Sequence, residues 1–517
     1  MIKKQAKETN NLEADIVVIG SGGGLAAAAA AAEQGAGRIV VLEKQGTLGG
    51  SAKMAQGLFA CESPIQKRDN IIADRDEVFR LYMRWHHWTI DPRIARAYIN
   101  KSGDTVRWLQ GKGIDFVIRM WYPNQVFRGF HWPLKGKGPE FGRGAEIIKV
   151  LATQAKDMGI RLMLRTRAIK LLRDAAGRIN GVVAMEGGKE FTIKTGSVII
   201  ATGTIAGNLE LIKRFCPDDY FDGMHVWEGI ASHTGDGLIM AEEIGAAAPR
   251  RIPMSGEGPH PDYGNKPGNL AASIKEPIAG IVKEGWLVWV NRLGRRFVDE
   301  TAGFMLPESG NALSRQPGKV MFTLFDDQMR KEMEETGMLV GRGWGKEEET
   351  HRVSLPGLKE LLQRRAKKGD ESLVHMADSW DEMARWIGAD PATLKAEIEE
   401  YNYFCDHGYD GVFAKERRFL VPLRVPPFYG IRAVVSSGGV LGGIIVNERM
   451  EVQDTCGKTI PGLYAIGDAA SGLEAQTYCG ELCGSGLGFA MNSGRIAGEE
   501  AARYLAGKKP TKKRFFK

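Results

Sequence analysis

The sequence predicts an α/β fold that opens with a Rossmann-like βαβ unit. Three features carry this: an apolar run into a glycine turn, an alanine-rich helix, and a second apolar run ending in an acid. The residues are Asp15-Ile-Val-Val-Ile-Gly20-Ser-Gly22-Gly23-Gly24, then Ala26 to Ala32, then Ile39-Val-Val-Leu-Glu43-Lys44. Gly20 and Gly22 allow a tight turn and let a pyrophosphate approach the backbone, where a helix N-terminus offers free N–H groups and partial positive charge. The alanines keep the helix thin enough to lie close on a sheet. Glu43 follows the turn by the spacing at which a carboxylate accepts hydrogen bonds from ribose hydroxyls. Leu25 stands at the sixth position of the turn, where a third glycine is usual. The unit therefore reads as a site for an adenine dinucleotide.

With 517 residues, 43% of them hydrophobic, and 66 glycines, the chain suits a large α/β enzyme of two or more domains, rich in tight turns. The first fourteen residues are polar and contain no apolar core of a signal peptide, and no apolar run reaches the ~18 residues of a membrane helix. A cytoplasmic location without stable membrane insertion is expected. The formal charge is +7, but six basic residues crowd the tail from Lys508 to Lys517, so the rest is nearly neutral and does not suit nucleic acid. The tail is either a solvated terminus or a peripheral contact for anionic lipid or an acidic partner. Of six cysteines only Cys479 and Cys483 are close, and no spacing matches a metal cradle or a disulfide framework. No metal is expected.

Further glycine turns follow in order. Leu48-Gly49-Gly50-Ser51-Ala52 comes after the acid and would bring backbone amides to phosphate or flavin. Residues 143–165 read as a helix and strand. Strands around Val182 and Phe191 form a meander with a turn at Gly187-Gly188. Ser197-Val-Ile-Ile-Ala201-Thr202-Gly203 is a buried strand with a Thr-Gly turn, and Thr234-Gly-Asp236-Gly237 precedes another helix. Near the end, Gly462-Leu-Tyr-Ala-Ile-Gly467-Asp468 places an aspartate where ribityl or ribose hydroxyls would meet it. Gly484-Ser485-Gly486-Leu487-Gly488 then runs into a helix whose positive end suits the N1/O2 edge of a reduced flavin. A second set of such loops favours FAD over a nicotinamide.

This ordered series resembles, over nearly the whole chain, the flavoprotein family of fumarate reductase, succinate dehydrogenase flavoprotein and 3-oxosteroid dehydrogenases. Asn291-Arg-Leu-Gly-Arg-Arg-Phe-Val-Asp-Glu300 and Gly438-Gly439 belong to the same resemblance. It implies a glutathione-reductase-type FAD domain, residues 1–258 and 432–507, interrupted by an α+β capping domain, residues 259–431, with the basic tail at 508–517. Gly57 and Ala168 join the FAD contacts that the resemblance implies. Trp380 and Trp386 read as core anchors of the cap, and Arg295 and Arg296 as its braces. Ser51-Ala52 stands where membrane-complex members carry a flavin-linked histidine, so FAD is expected to be non-covalent.

The resemblance also implies chemistry between flavin and cap: hydride transfer between flavin N5 and the carbon beta to a carbonyl, reducing or forming an activated C=C. The departures inform the substrate. Phe304 falls where fumarate reductases use an arginine acid. Glu474 and Tyr478 stand where a histidine and an arginine would clamp a dicarboxylate. Tyr478-Cys-Gly480 is similar to the Tyr-Pro-Gly with which 3-oxosteroid dehydrogenases polarise a ketone, and Tyr122-Pro123 falls near another of their Tyr-Pro pairs. His260, in Gly-Pro-His-Pro, sits at an Ala-His-Pro of the fumarate reductases.

Candidates for proton transfer are therefore Tyr478, Glu474, His260 and Tyr122, with Tyr478 best placed to hydrogen-bond a developing enolate. Residues 120–132 are crowded with aromatics and form either a satellite core or an apolar pocket wall. Cys479 and Cys483 are either a redox pair or small spacers. The expected partners are a small, neutral unsaturated carbonyl compound and an electron donor or acceptor that the sequence leaves unidentified. The alternatives are a fumarate-reductase-like enzyme for a small carboxylate and an electron-transferring flavoprotein subunit.

Overall fold

The computed structural model describes residues 12–120, 125–135, 142–224, 226, 230–263, 277–340, 351–367 and 373–507. Tyr122 and the basic tail lie outside them. The opening unit consists of β1 (Ile16–Ile19), α1 (Gly23–Glu33) and β2 (Ile39–Glu43). Every residue of both strands is buried, as the unbroken apolar runs require of a parallel sheet covered on both faces. Among the described residues this sheet has six strands, in the order Glu451–Gln453, Thr459–Ala465, Ser197–Ile200, β1, β2, Arg161–Leu164. The pairs are parallel except at the Glu451–Gln453 edge. Strand order reverses beside β1, and a crevice forms there at the carboxyl ends of the strands.

The alanine helix is more enclosed than its role against a sheet required. Ala26 to Ala31 are buried on all sides because the C-terminal helix Ser485–Leu505 covers the other face. That helix brings its own small residues: a Cβ at Gly494 would lie 2.6 Å from the Gly23 carbonyl oxygen, and one at Gly498 would lie 2.1 Å from that of Ala27. The helices thus meet backbone to backbone.

The meander of Thr166–Arg173, Ile179–Glu186 and Lys189–Lys194 turns at Gly187-Gly188, both with positive φ as a tight hairpin demands. A separate hydrophobic core, drawn from residues 278–435, fills the cap. There Trp380 stacks on Phe428 with ring centroids 4.0 Å apart, and Trp386 packs on Phe322 at 5.0 Å. The cap is rooted in an antiparallel pair, Met254–Pro261 with Phe428–Val440. The boundaries expected at residues 259 and 431 fall inside these strands.

Candidate active site

A cavity of about 430 Å³ occupies the crevice. Its floor is the first glycine turn. Gly20 has φ +102°, and a Cβ there would lie 2.2 Å from the Ala201 carbonyl oxygen. At Gly22 a Cβ would instead face the cavity, with its nearest neighbour, the Gly49 carbonyl oxygen, at 3.4 Å. The close helix–strand approach falls at Gly24, whose Cβ would meet Val18 Cγ1 at 2.8 Å, and Leu25 is fully buried in the core. The glycine missing at the sixth position is thus supplied one residue earlier.

Glu43 points back at the turn. Its Oε2 accepts from the Ser21 hydroxyl at 2.5 Å and from the Ser21 N–H at 3.2 Å, and Ser21 Oγ accepts from Gly49 N–H at 2.8 Å. Glu43 therefore locks both glycine loops together. Asp236 is likewise engaged: it takes Lys44 at 3.0 Å, Arg167 through two bonds at 2.9 and 3.2 Å, and the Thr234 hydroxyl at 2.8 Å. Burial alone would raise its carboxyl. The Lys44 charge and the hydrogen bonds outweigh burial and hold it below the usual range. Asp236 serves to fix Lys44 and Arg167 in the cavity wall.

The N-termini of α1 and of Ser485–Leu505 both open on the cavity, with no acid in either first turn. Three wall residues carry buried polar atoms with no hydrogen-bond partner among the described residues: both amide atoms of Gln56, Thr202 Oγ1 and His233 Nδ1. Buried polar groups are nearly always paired, so this wall is incomplete without a polar ligand. An elongated cradle of glycines, two helix N-termini and unpaired side chains fits FAD. Burial, and then the Lys44 charge, push His233 down to about 4, so its imidazole is neutral.

At the far end, Tyr478 lines the cavity with Phe130, Leu306, Pro307, Val440 and Leu441. The Tyr478 hydroxyl accepts from the Gly484 N–H at 2.7 Å, at the head of the C-terminal helix. Asp468 also stands in the wall. Burial, and secondarily the Glu474 carboxylate, push its carboxyl up to about 6.

The other expected FAD contacts in the wall are Gly23, Gly49, Gly50, Ser51, Gly57, Ala168, Gly203, Gly467, Gly486 and Leu487. Gly24 lies beneath it in the core. Ser485 and Glu474 line a smaller adjoining cavity of about 20 Å³. His260 does not line the cavity: Ser255 of the same strand reaches the wall, but the register shifts twice beyond it and His260 pairs with Val434. Phe304 packs into the cap core against Phe419, ring centroids 5.7 Å apart, and does not line the cavity. The aromatic segment divides: Phe130 is a wall residue, whereas Phe127 is core. Burial pushes the Cys479 and Cys483 thiols up.

Sequence reasoning missed Gln56, His233 and His86. His233 sits directly before the Thr234-Gly-Asp motif, which was the available signal. His86, in Trp85-His-His-Trp88, had no signal that separated it from His87.

The family model described as an FAD binding domain matches residues 15–487. The chain is 32% identical over 500 residues to vinyl phenol reductase of Lactiplantibacillus plantarum, covering 95% of this chain and 96% of that one. It is 28% identical over 495 residues to fumarate reductase (cytochrome) of Shewanella frigidimarina, covering 95% and 77%. In fold it is similar to 3-ketosteroid delta1-dehydrogenase of Sterolibacterium denitrificans, with TM-score 0.75, 20% identity, and coverage of 96% and 100%. Among the described residues no helix is long and apolar enough to cross a membrane. The glycine cradle, the incomplete polar wall and this kinship establish the cofactor and reaction class together: the chain belongs to the FAD binding domain family and is an FAD-dependent oxidoreductase of carbon–carbon bonds.

Proposed function

We propose that this enzyme reduces, or in reverse forms, a C=C bond in a small neutral molecule, conjugated to a carbonyl or to a phenol. The carrying observation is the flavin end of the cavity, where the Tyr478 hydroxyl is fixed by Gly484 N–H at 2.7 Å among apolar side chains. The cationic residues of the described wall, Lys44 and Arg167, are both committed to Asp236. A dicarboxylate finds no clamp there. The similarity to vinyl phenol reductase supports a substrate whose activating group is a neutral oxygen.

Bound FAD supplies or accepts the hydride at N5. Tyr478, whose oxygen already accepts from a helix N-terminal amide, donates its proton or a hydrogen bond to the oxygen or carbon on which charge develops. Gly20, Gly22, Gly23, Glu43, Lys44, Gly49, Gly50, Ser51, Ala201, Thr202, Gly203, Asp468 and Gly486 would hold the dinucleotide. All six cysteines are free thiols, which suits the reducing cytoplasm.

Anaerobic reduction of the flavin, followed by reoxidation with a vinyl phenol, an enone, an enoate and fumarate, tests the reading. The neutral conjugated alkenes are expected to reoxidise it at least about tenfold faster than fumarate, the scale of one lost or gained charge contact. Reoxidation by fumarate alone would overturn the proposal. Reoxidation by no alkene, with rapid transfer to a protein, would favour the electron-transfer subunit. Tyr478→Phe should keep FAD bound and slow turnover at least about tenfold.

A further inference from the structure

The 20 Å³ cavity beside the flavin site is lined by Asp468, Glu474, Tyr478 and Ser485, and shares Asp468 and Tyr478 with the larger one. It is large enough for one water and polar enough to hold it. Behind it, Glu474 faces a histidine buried by the fold. His86 caps the helix Arg75–Trp85, and the next two residues, His87 and Trp88, take left-handed backbone conformations at φ +48° and +62°. That turn exposes Trp85, His87 and Trp88 and sends His86 inward, where Tyr82 packs edge-on at 4.8 Å.

The contacts of His86 decide where its protons are. Nδ1 lies 3.1 Å from the Ala475 carbonyl oxygen, which can only accept, so Nδ1 carries hydrogen. Nε2 lies 2.8 Å from Glu474 Oε2, with both side chains almost wholly buried. The contact is an ion pair and not an in-line hydrogen bond, and a bare nitrogen lone pair facing a bare carboxylate oxygen at that distance would repel, so the two side chains together hold one proton. Ser485 Oγ, at the head of the C-terminal helix, lies 3.2 Å from the other Glu474 oxygen and stabilises the ionised carboxylate. Among the described residues, Tyr82, Tyr98, Asp468 and Cys479 are the other titratable groups that face Glu474, and none of them is a cation.

We infer that His86 and Glu474 form a proton relay that recharges Tyr478 between turnovers through a water in the small cavity. The inference rests on Tyr478 as the proton donor of the proposed reaction. In each reductive turnover the substrate gains a hydride from the reduced flavin and a proton from the Tyr478 hydroxyl, leaving a tyrosinate. The proton shared by His86 and Glu474 passes to the water as the water's own proton passes to the tyrosinate. The pair is left as neutral His86 against ionised Glu474, and solvent at the exposed helix end restores its proton. His86 and Glu474 act through Tyr478 and do not touch the substrate.

The test needs no substrate. In the oxidised, FAD-loaded protein, a pH jump from about 10 to about 7 reprotonates tyrosinates, and the part of the ultraviolet signal that is lost in Tyr478→Phe reports Tyr478. Glu474→Gln and His86→Asn are expected to slow that phase at least about tenfold, and added imidazole to restore it in His86→Asn but not to speed the wild type. An unchanged rate in both FAD-loaded variants would overturn the relay, as would slowing that imidazole leaves untouched. If one variant loses FAD, the other decides. In turnover, the first stopped-flow oxidation of reduced flavin should stay within about twofold of wild type while steady-state kcat falls about tenfold. A slowed pH-jump phase without turnover of any neutral alkene would leave the relay standing and remove the proposed substrate class.

Discussion

Two buried charge clusters, one in the cap and one beside the cofactor cavity, are built on opposite principles. In the cap, Arg296 grips Glu300 through bonds of 2.8 and 2.9 Å and Asp410 at 2.9 Å, while Lys415 reaches Glu300 at 3.1 Å. Two cations face two anions, and every charge has a partner. Beside the cavity, Glu474 meets only His86 and the Ser485 hydroxyl among the described residues, and none of those residues sets a cation against Asp468. The first arrangement is closed and serves to hold Phe304 and its segment in place. The second is open and can exchange protons. Compensation marks structure here, and its absence marks function.

The largest expected effect breaks the closed cluster. Burial alone would raise the Glu300 carboxyl, but Lys415 and Arg296 outweigh it and hold it below the usual range. Glu300→Gln leaves Lys415 buried without an anion and should cost about 3–5 kcal/mol of stability, read as a fall in the denaturant midpoint. A loss below about 1 kcal/mol would show that the cluster is not the closed unit described.

A fully buried histidine sharpens the contrast next. His131 is held between the Gly129 carbonyl and Ser63 Oγ, each at 2.7 Å, and burial pushes it down to about 4. Its folded-state value lies below its unfolded one, so its contribution is complete above about pH 6.5 and lost as pH falls towards 4. That loss amounts to about 3 kcal/mol. His131→Phe should flatten the stability curve between these limits, and an equally steep curve would assign the acid sensitivity to other groups.

How much of this was legible follows from range along the chain. The cradle is made of backbone: Gly20, Gly22, Gly49 and Gly203 sit in turns whose geometry is fixed by neighbours in sequence, so spacing revealed them. Even there the partners of Glu43 and Asp236 escaped notice, because Ser21, Lys44 and Arg167 satisfy them in three dimensions. The proton-handling end is made of side chains from residues 86, 474, 478 and 485, and no periodicity links the first to the rest. Phe304 and His260 were placed by resemblance at positions that bear on substrate in relatives. Phe304 turns into the cap core, and after two register shifts His260 pairs with Val434.

The smallest expected effect has the opposite sign from the first, and this makes it the sharpest test. Asp468 is raised to about 6, above its unfolded value, so the fold favours its protonated form. Its contribution to the stability of the FAD-free protein therefore declines as pH rises from about 4 to about 6 and stays low above that. Asp468→Asn removes the buried charge and keeps the shape, and should stabilise the FAD-free protein by about 1–2 kcal/mol near pH 7.5 with little effect near pH 4. The same substitution should weaken FAD binding, because the amide replaces an acceptor aimed at the cofactor's hydroxyls. Unfolding midpoints at the two pH values and FAD titration by flavin fluorescence read both effects. Removing a carboxylate would then destabilise the protein at Glu300 and stabilise it at Asp468. A loss of stability at both would mean that Asp468 has a compensating partner in the protein, and the contrast between a closed and an open cluster would fail.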